Sequence, residues 1–223
     1  MKTSTRWMTR LIAVCLSFAG FMTSAQATLG GMAGNNSCGS RSIAYGNMVH
    51  NVAGIDAWLS DGTQRVLDLC TGNGSLAVLA AMAYPEVDVD AADISPDALD
   101  VARINVQRHG LGERIRLIAS DGLTALPHRY DLILCNPPYV NAQSMAALPP
   151  EYRAEPFMAL DGNHHGSSDG MDFVRDLFQT VAQHMSPHAV LVLEIGHERA
   201  YFEAAFPQLH AVWLDTSAGA EQV

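Results

Sequence analysis

The sequence predicts an α/β domain, a mostly parallel sheet with helices on both faces. Three observations predict it. From residue 65 onward, short apolar runs alternate with longer helical stretches, the pattern of strands joined by crossover helices. The chain has 223 residues, 48% of them hydrophobic, enough to fill the core of one large domain. Only 16% are charged and only four are Cys, which excludes a disordered chain and a disulfide-stapled mini-protein.

The elements follow in order. Residues 65–70 (RVLDLC) form the first strand, then a tight glycine-containing turn and an apolar helix over 75–84. Residues 87–93 are the second strand. Ser95-Pro96-Asp97 opens the next helix with a cap, a proline at its first position and an acid in its first turn, and Gly110 ends it. Residues 115–120 and 130–135 are the third and fourth strands. Phe173, Leu177, Val181 and Met185 recur every fourth residue, giving a helix with one apolar stripe that Pro187 stops. A fifth strand over 190–195, a helix over 198–206 and a sixth strand over 211–215 complete the pattern. There is no internal repeat.

Charge is distributed unevenly. Residues 1–55 contain Lys2, Arg6, Arg10 and Arg41 and no acid. Removing those four from the 13 Lys and Arg leaves nine cations against 23 acids over residues 56–223, a net −14. So acidic a domain is not expected to bind nucleic acid directly, and suits a basic protein partner. The early cations precede a 12-residue apolar run at 11–22 and the small residues of Ala25-Gln26-Ala27. Residues 1–27 therefore read as a secretory signal, with an organellar presequence or a misassigned start as alternatives. The apolar run is too short to span a bilayer. Residues 28–55 read as a linker, rich at its start in Gly, Ser and Asn, and the folded domain as 56–223.

Three positions suggest chemistry. Asp68 near the end of the first strand, with Cys70, Thr71, Gly72, Asn73 and Gly74 in the turn, places small residues at the mouth of the sheet, where open α/β folds bind ligands. The same turn also serves as a plain connector, and it lacks the third glycine of a dinucleotide fingerprint. About 20 residues on, Asp93 ends the second strand, where a carboxylate can accept from both ribose hydroxyls. Together these suggest a nucleoside-containing cofactor. Asp121 is either a partner for an adenine amino group or a helix cap for 122–126.

Asn136-Pro137-Pro138-Tyr139 follows the fourth strand. Two prolines stiffen the backbone and remove N–H donors, leaving the Asn side chain and neighbouring carbonyls as fixed acceptors for an NH2 group. Tyr139 offers a flat surface for a planar amide or base. Alone, the segment is a proline-rich turn; after the fourth strand of this fold it becomes a site.

These residues carry a resemblance. D-x-C-x-G-x-G over 68–74, the acid at 93 and the NPPY segment resemble class I S-adenosylmethionine-dependent methyltransferases acting on planar nitrogens. Residues 148–177 (LPPEYRAEPFMALDGNHHGSSDGMDFVRDL) resemble the corresponding segment of the protein N(5)-glutamine methyltransferases. Cys70 and Arg153 are similar to the branch modifying the third protein of the large ribosomal subunit; the release-factor branch is the alternative. The resemblance implies a Rossmann-like class I fold and S-adenosyl-L-methionine as cofactor. It implies Asp68, Cys70, Thr71, Gly72, Asn73, Gly74, Asp93, Asp121 and Asn136 around that cofactor. Asn136, Pro137, Pro138 and Tyr139 would hold a glutamine side chain of a basic ribosomal protein, with no metal and no membrane span.

Glu151 and Glu155 either cover the substrate or anchor their loop. His164-His165 lacks ligand spacing and reads as polar loop. Cys70 and Cys135 end neighbouring strands and read as reduced thiols, hence a cytoplasmic enzyme. The chain departs from the family in two places: a signal-like stretch stands where a helical substrate domain is usual, and the last strand is cut short, leaving the sixth as an edge. A nucleic-acid amino-methyltransferase and a non-catalytic cofactor-binding relative are the other readings.

Overall fold

The computed structural model describes residues 64–148 and 155–214, together with the backbone of strand β1 (Ala13–Leu16). The remaining strands are β2 (Arg65–Leu69), β3 (Asp88–Asp93), β4 (Ile115–Ala119), β5 (Tyr130–Cys135), β6 (Met185–Glu194) and β7 (Val212–Leu214). The helices are α1 (Ser75–Ala83), α2 (Pro96–Arg108), α3 (Ala142–Ala146), α4 (Phe157–Leu160), α5 (Asp172–Thr180) and α6 (Arg199–Ala205).

All strand pairs run parallel, in the order β4-β3-β2-β5-β6-β1-β7. The chain steps outward from β2 through β3 to β4, then returns to β5 on the other side of β2. That reversal opens a crevice at the carboxyl ends of β2 and β5, where Leu69 pairs with Cys135. The loops leaving these two strands therefore start side by side.

Each face of the sheet has its own core. Val66, Val89, Ala91, Ile115 and Leu132 pack with Ala77, Val78, Ala81 and Val106 of α1 and α2. Leu67, Leu69, Ile133, Leu191 and Leu193 pack with Val174 and Leu177 of α5 and Phe202 of α6. A buried polar link crosses the sheet: the Tyr130 hydroxyl donates to Asp90 Oδ2 at 2.7 Å, and Arg116 grips the same carboxylate with Nε at 2.9 Å and Nη2 at 2.7 Å. Burial, then this bond, pushes the Tyr130 hydroxyl well above the usual phenol range.

The start of α2 follows the sequence reading. Ser95 Oγ accepts from the Ala98 amide at 3.2 Å, Pro96 begins the helix, and Gly110 sits past its end at φ 67°.

Several boundaries differ. The apolar stripe ends as helix at Thr180, continues as one tight turn over Val181–His184, and Met185 already belongs to β6. Pro187 thus stands inside a strand rather than stopping a helix. It falls where the β5–β6 register shifts, between Tyr130↔Met185 and Leu132↔Val190, a place where a missing N–H is tolerated. Residues 122–126 form turns, not a helix, so the cap reading of Asp121 does not hold. Helices α3 and α4 have no counterpart in the sequence pattern.

Strand β1 lies within the apolar run read as a leader, and pairs with both β6 and β7. A short apolar run fits a buried strand as well as a leader core. Among the described residues β7 is the last strand on that side of the sheet; residues 215–223, where the sequence places the shortened last strand, lie outside them. The rest of 1–55 lies outside the described residues.

Candidate active site

The glycine turn is held from below by Asp68. This fully buried carboxylate accepts from Thr71 Oγ1 at 2.5 Å and from the Ala77 amide at 2.8 Å, using one oxygen for both. Ala77 lies in the first turn of α1, whose amides have no partner within the helix. Burial pushes the Asp68 carboxyl up to about 7 against these bonds, and nearby Asp93 adds to the rise. Asn73 supports the same helix end by accepting from the Ser75 amide at 3.1 Å.

The turn needs the left-handed backbone at Cys70 (φ 58°), Gly72 (φ 53°) and Gly74 (φ 82°). The two glycines serve different ends. A Cβ on Gly74 would lie 3.1 Å from the Ala102 Cβ, so this residue lets α2 approach. A Cβ on Gly72 would meet nothing within 4 Å and project into open space.

Asp93 joins the turn to its neighbours. Its Oδ2 accepts from the Gly72 amide at 2.8 Å and its Oδ1 from the Ser95 amide at 2.9 Å. The Ser120 amide donates to its main-chain carbonyl at 2.9 Å. Loops after β2, β3 and β4 therefore meet at Asp93. Each carboxylate oxygen retains a lone pair, so bracing the loops and accepting a ribose are compatible. Asp121 stands exposed at the end of β4, its side chain unbonded among the described residues. Ile94, 52% exposed directly after Asp93, offers an apolar surface to a flat base; the sequence reading passed over it.

Across the crevice, Asn136 is half-buried, and its side-chain amide is unbonded among the described residues. Its surroundings, by contrast, are tightly fixed. The Val140 amide donates to the Leu160 carbonyl at 2.9 Å, and Val140 accepts from the Gly162 amide at 3.2 Å and from Asn163 Nδ2 at 3.0 Å. A Cβ on Gly170 would lie 2.2 Å from the Tyr139 carbonyl oxygen, one on Gly162 2.1 Å from the Gly170 carbonyl oxygen, and one on Gly196 2.8 Å from the Tyr139 ring. Only glycine permits these three approaches. Asn141 adds a buried anchor, its Nδ2 donating to Glu198 Oε1 at 2.6 Å.

Sequence reasoning missed Asn141, Gly196 and the function of Glu198; Gly162 and Gly170 stood within a quoted segment without a role. Glycine after the fifth strand was the one readable signal. Glu151 lies outside the described residues, and Glu155 is exposed. His165 pairs with Asp176 at 2.7 Å on the surface. Among the described residues no His, Cys, Asp and Glu group is arranged for a metal. Cys70 and Cys135 are free thiols in mutual contact; burial, then Cys70, pushes the Cys135 thiol up.

A family model described as a methyltransferase small domain matches residues 55–148, the span holding the turn, Asp93 and the Asn136 corner. Another, described as an FAD binding domain, matches residues 11–68 and stops before the turn. The chain is 52% identical over 173 residues to the ribosomal protein uL3 glutamine methyltransferase of Bordetella pertussis, covering 76% of this chain and 57% of that one. It is 54% identical over 162 residues to the protein of the same name from Burkholderia pseudomallei, covering 69% and 52%.

By sequence this chain is a homologue of proteins named ribosomal protein uL3 glutamine methyltransferase. It spans just over half the length of these curated relatives. A solved S-adenosylmethionine-dependent methyltransferase from Agrobacterium tumefaciens is similar over 60% of this chain and 39% of that one, at 24% identity and a TM-score of 0.42.

The cofactor implied by the family, S-adenosylmethionine, fits the residues present. Open space over Gly72, the spare acceptors of Asp93 and the bare Ile94 side chain together match an adenosine carrying a charged tail. Gly72→Ala tests this fit. The new methyl collides with no atom of the described residues, so its cost to the fold is the left-handed strain, about 1–2 kcal/mol. We expect affinity for S-adenosylhomocysteine, by calorimetric titration, to fall about tenfold or more. An unchanged affinity would place the cofactor elsewhere.

Proposed function

We propose that this chain transfers a methyl group from S-adenosylmethionine to the side-chain amide nitrogen of a glutamine in ribosomal protein uL3. The single observation behind this reading is the Asn136 amide, unbonded among the described residues, in a rigid corner that begins beside the glycine turn at the same end of the sheet. The 52% identity to uL3 glutamine methyltransferases supports the choice of substrate.

When bound, S-adenosylmethionine supplies an electrophilic methyl on a sulfonium sulfur. Residues 70–74, Asp93, Asp121 and Asn136 would hold it, and Asp68 shapes the turn beneath. The protein's task is orientation. An amide nitrogen is a weak nucleophile because its lone pair is delocalised into the carbonyl. Asn136 Oδ1 and the Pro137 carbonyl accept its two N–H bonds, which polarises them and fixes the direction of the lone pair. Pro138 stiffens the corner, and Tyr139, its ring held against Gly196, flanks the flat carboxamide. No side chain need serve as a strong base.

A basic ribosomal protein is the partner, the surplus of acids favouring its approach, and the cytoplasm is the compartment. Among the described residues, no helix is long and apolar enough to cross a membrane. The test incubates the full chain with labelled S-adenosylmethionine and, separately, bacterial uL3, a peptide release factor and an RNA fragment. Label on a uL3 glutamine, located by mass spectrometry, is the expected result. Label on the release factor or the RNA would replace the substrate, and binding without transfer would make the chain a non-catalytic relative.

A further inference from the structure

Most large apolar side chains of the described fold are buried, but two adjacent ones near the Asn136 corner are not. Phe157 is 68% exposed and Met158 53% exposed, both on α4. This four-residue helix is not a loose surface turn. Its last residue, Leu160, accepts from the Val140 amide at 2.9 Å, and Asp161 bridges Val140 in parallel register. Gly162 and Asn163 both donate to the Val140 carbonyl. Val140 directly follows Tyr139, so α4 moves with the corner.

We propose that Phe157 and Met158 form the docking surface for the stretch of protein substrate next to the target glutamine, and that they take an apolar side chain of that stretch. This rests on the glutamine methyltransferase reading. Distance argues for it: Phe157 is three residues before Leu160, about 4.5 Å of helix, which puts it on the order of 10 Å from the corner. An extended chain covers that span in about three residues. A protein that seats its glutamine on Asn136 must lay its neighbouring residues across or beside α4.

Charge narrows the occupant. Glu155, exposed, and Asp161 stand at the two ends of α4, within a region of nine cations and 23 acids. An apolar side chain flanked by Lys or Arg satisfies both the bare pair and its acidic margins. An apolar pair with a polar rim is also the usual form of a binding hot spot. Phe157 and Met158 belong to neither core cluster, so the fold does not depend on them.

The test compares the full chain with the double variants Phe157→Ser/Met158→Ser and Phe157→Leu/Met158→Leu. Substrates are bacterial uL3 and a blocked tripeptide with a central glutamine, too short to reach α4. For the serine variant, KM for uL3 rises about tenfold, equivalent to about 1.4 kcal/mol. Its kcat stays within about twofold and its S-adenosylhomocysteine affinity is unchanged. The leucine variant stays near the parent, and neither variant alters tripeptide kinetics. An unchanged KM for uL3 would overturn the proposal. So would an equal loss with the tripeptide, which would mean that the corner itself had been disturbed. If the parent chain methylates neither substrate, the glutamine reading fails, a result distinct from these two.

Discussion

Asn136→Ala lowers methyl transfer to uL3 by about 10²–10³-fold, while affinity for S-adenosylhomocysteine stays within a few-fold. The magnitude is that of removing one preorganised hydrogen-bonding group aimed at the reacting centre. The structure gives a reason to expect the loss in chemistry rather than in folding. The Asn136 amide is half-buried and unbonded among the described residues, so its removal breaks no bond within the fold. A change to such a site moves stability by about 0.5 kcal/mol or less. The Pro137 carbonyl remains, so the glutamine still finds one acceptor, and the loss falls mainly on kcat. A methyl-transfer assay with calorimetry on the same sample separates the outcomes. Transfer at the parent rate would remove Asn136 from the mechanism. A loss of cofactor binding as large as the loss of transfer would mean that Asn136 acts mainly by holding the cofactor, not by orienting the amide.

Why this residue was legible in the sequence while its supports were not is a matter of range. Asn-Pro-Pro-Tyr carries its meaning locally: an amide followed by two residues with fixed φ and no donors, placed after a strand. The glycine turn and Asp93 are similarly local, each sitting at the end of its own strand. The structure adds that Asp93 bonds to Gly72, 21 residues earlier, and Asp68 to Ala77. It thus reveals two acids working as braces as well as candidate ligands.

The supports of the corner depend on long-range approach. Asn141 and Glu198 are 57 residues apart and meet only because β6 lies beside β5. Gly162, Gly170 and Gly196 resemble ordinary loop glycines until the backbone or ring they touch is known. The β6 boundary was misjudged for a related reason. Pro187 signals the end of a helix locally, but a register shift between two strands absorbs its missing amide. Strand β1 shows the same ambiguity, since an apolar run of that length satisfies a leader and a buried strand equally.

Gly170→Ala is the variant expected to do most damage to fold and activity together. Gly170 has φ 77°, which costs an L residue roughly 1–2 kcal/mol. Its new methyl would lie 2.2 Å from the Tyr139 carbonyl oxygen and 3.0 Å from the Asn141 amide. Both neighbours are backbone, so neither can swing aside, and overpacking adds about 1–3 kcal/mol. A total near 3 kcal/mol lowers Tm by about 6–12 °C for a domain of this size. Relief comes only if the Tyr139–Asn141 backbone retreats, and that movement shifts Asn136 with it. A misplacement of about 1 Å costs an oriented reaction on the order of 10²-fold, so transfer falls well beyond what the unfolded fraction explains. Cofactor affinity in the folded fraction stays near the parent value, because the turn after β2 is braced separately through Asp68 and Asp93. Gly166 provides the comparison: it is also left-handed, at φ 88°, with nothing within 4 Å of a new Cβ. Gly166→Ala therefore incurs the backbone strain without the collision. If thermal melting and transfer respond equally to both substitutions, the close approach at Gly170 is not what positions the corner.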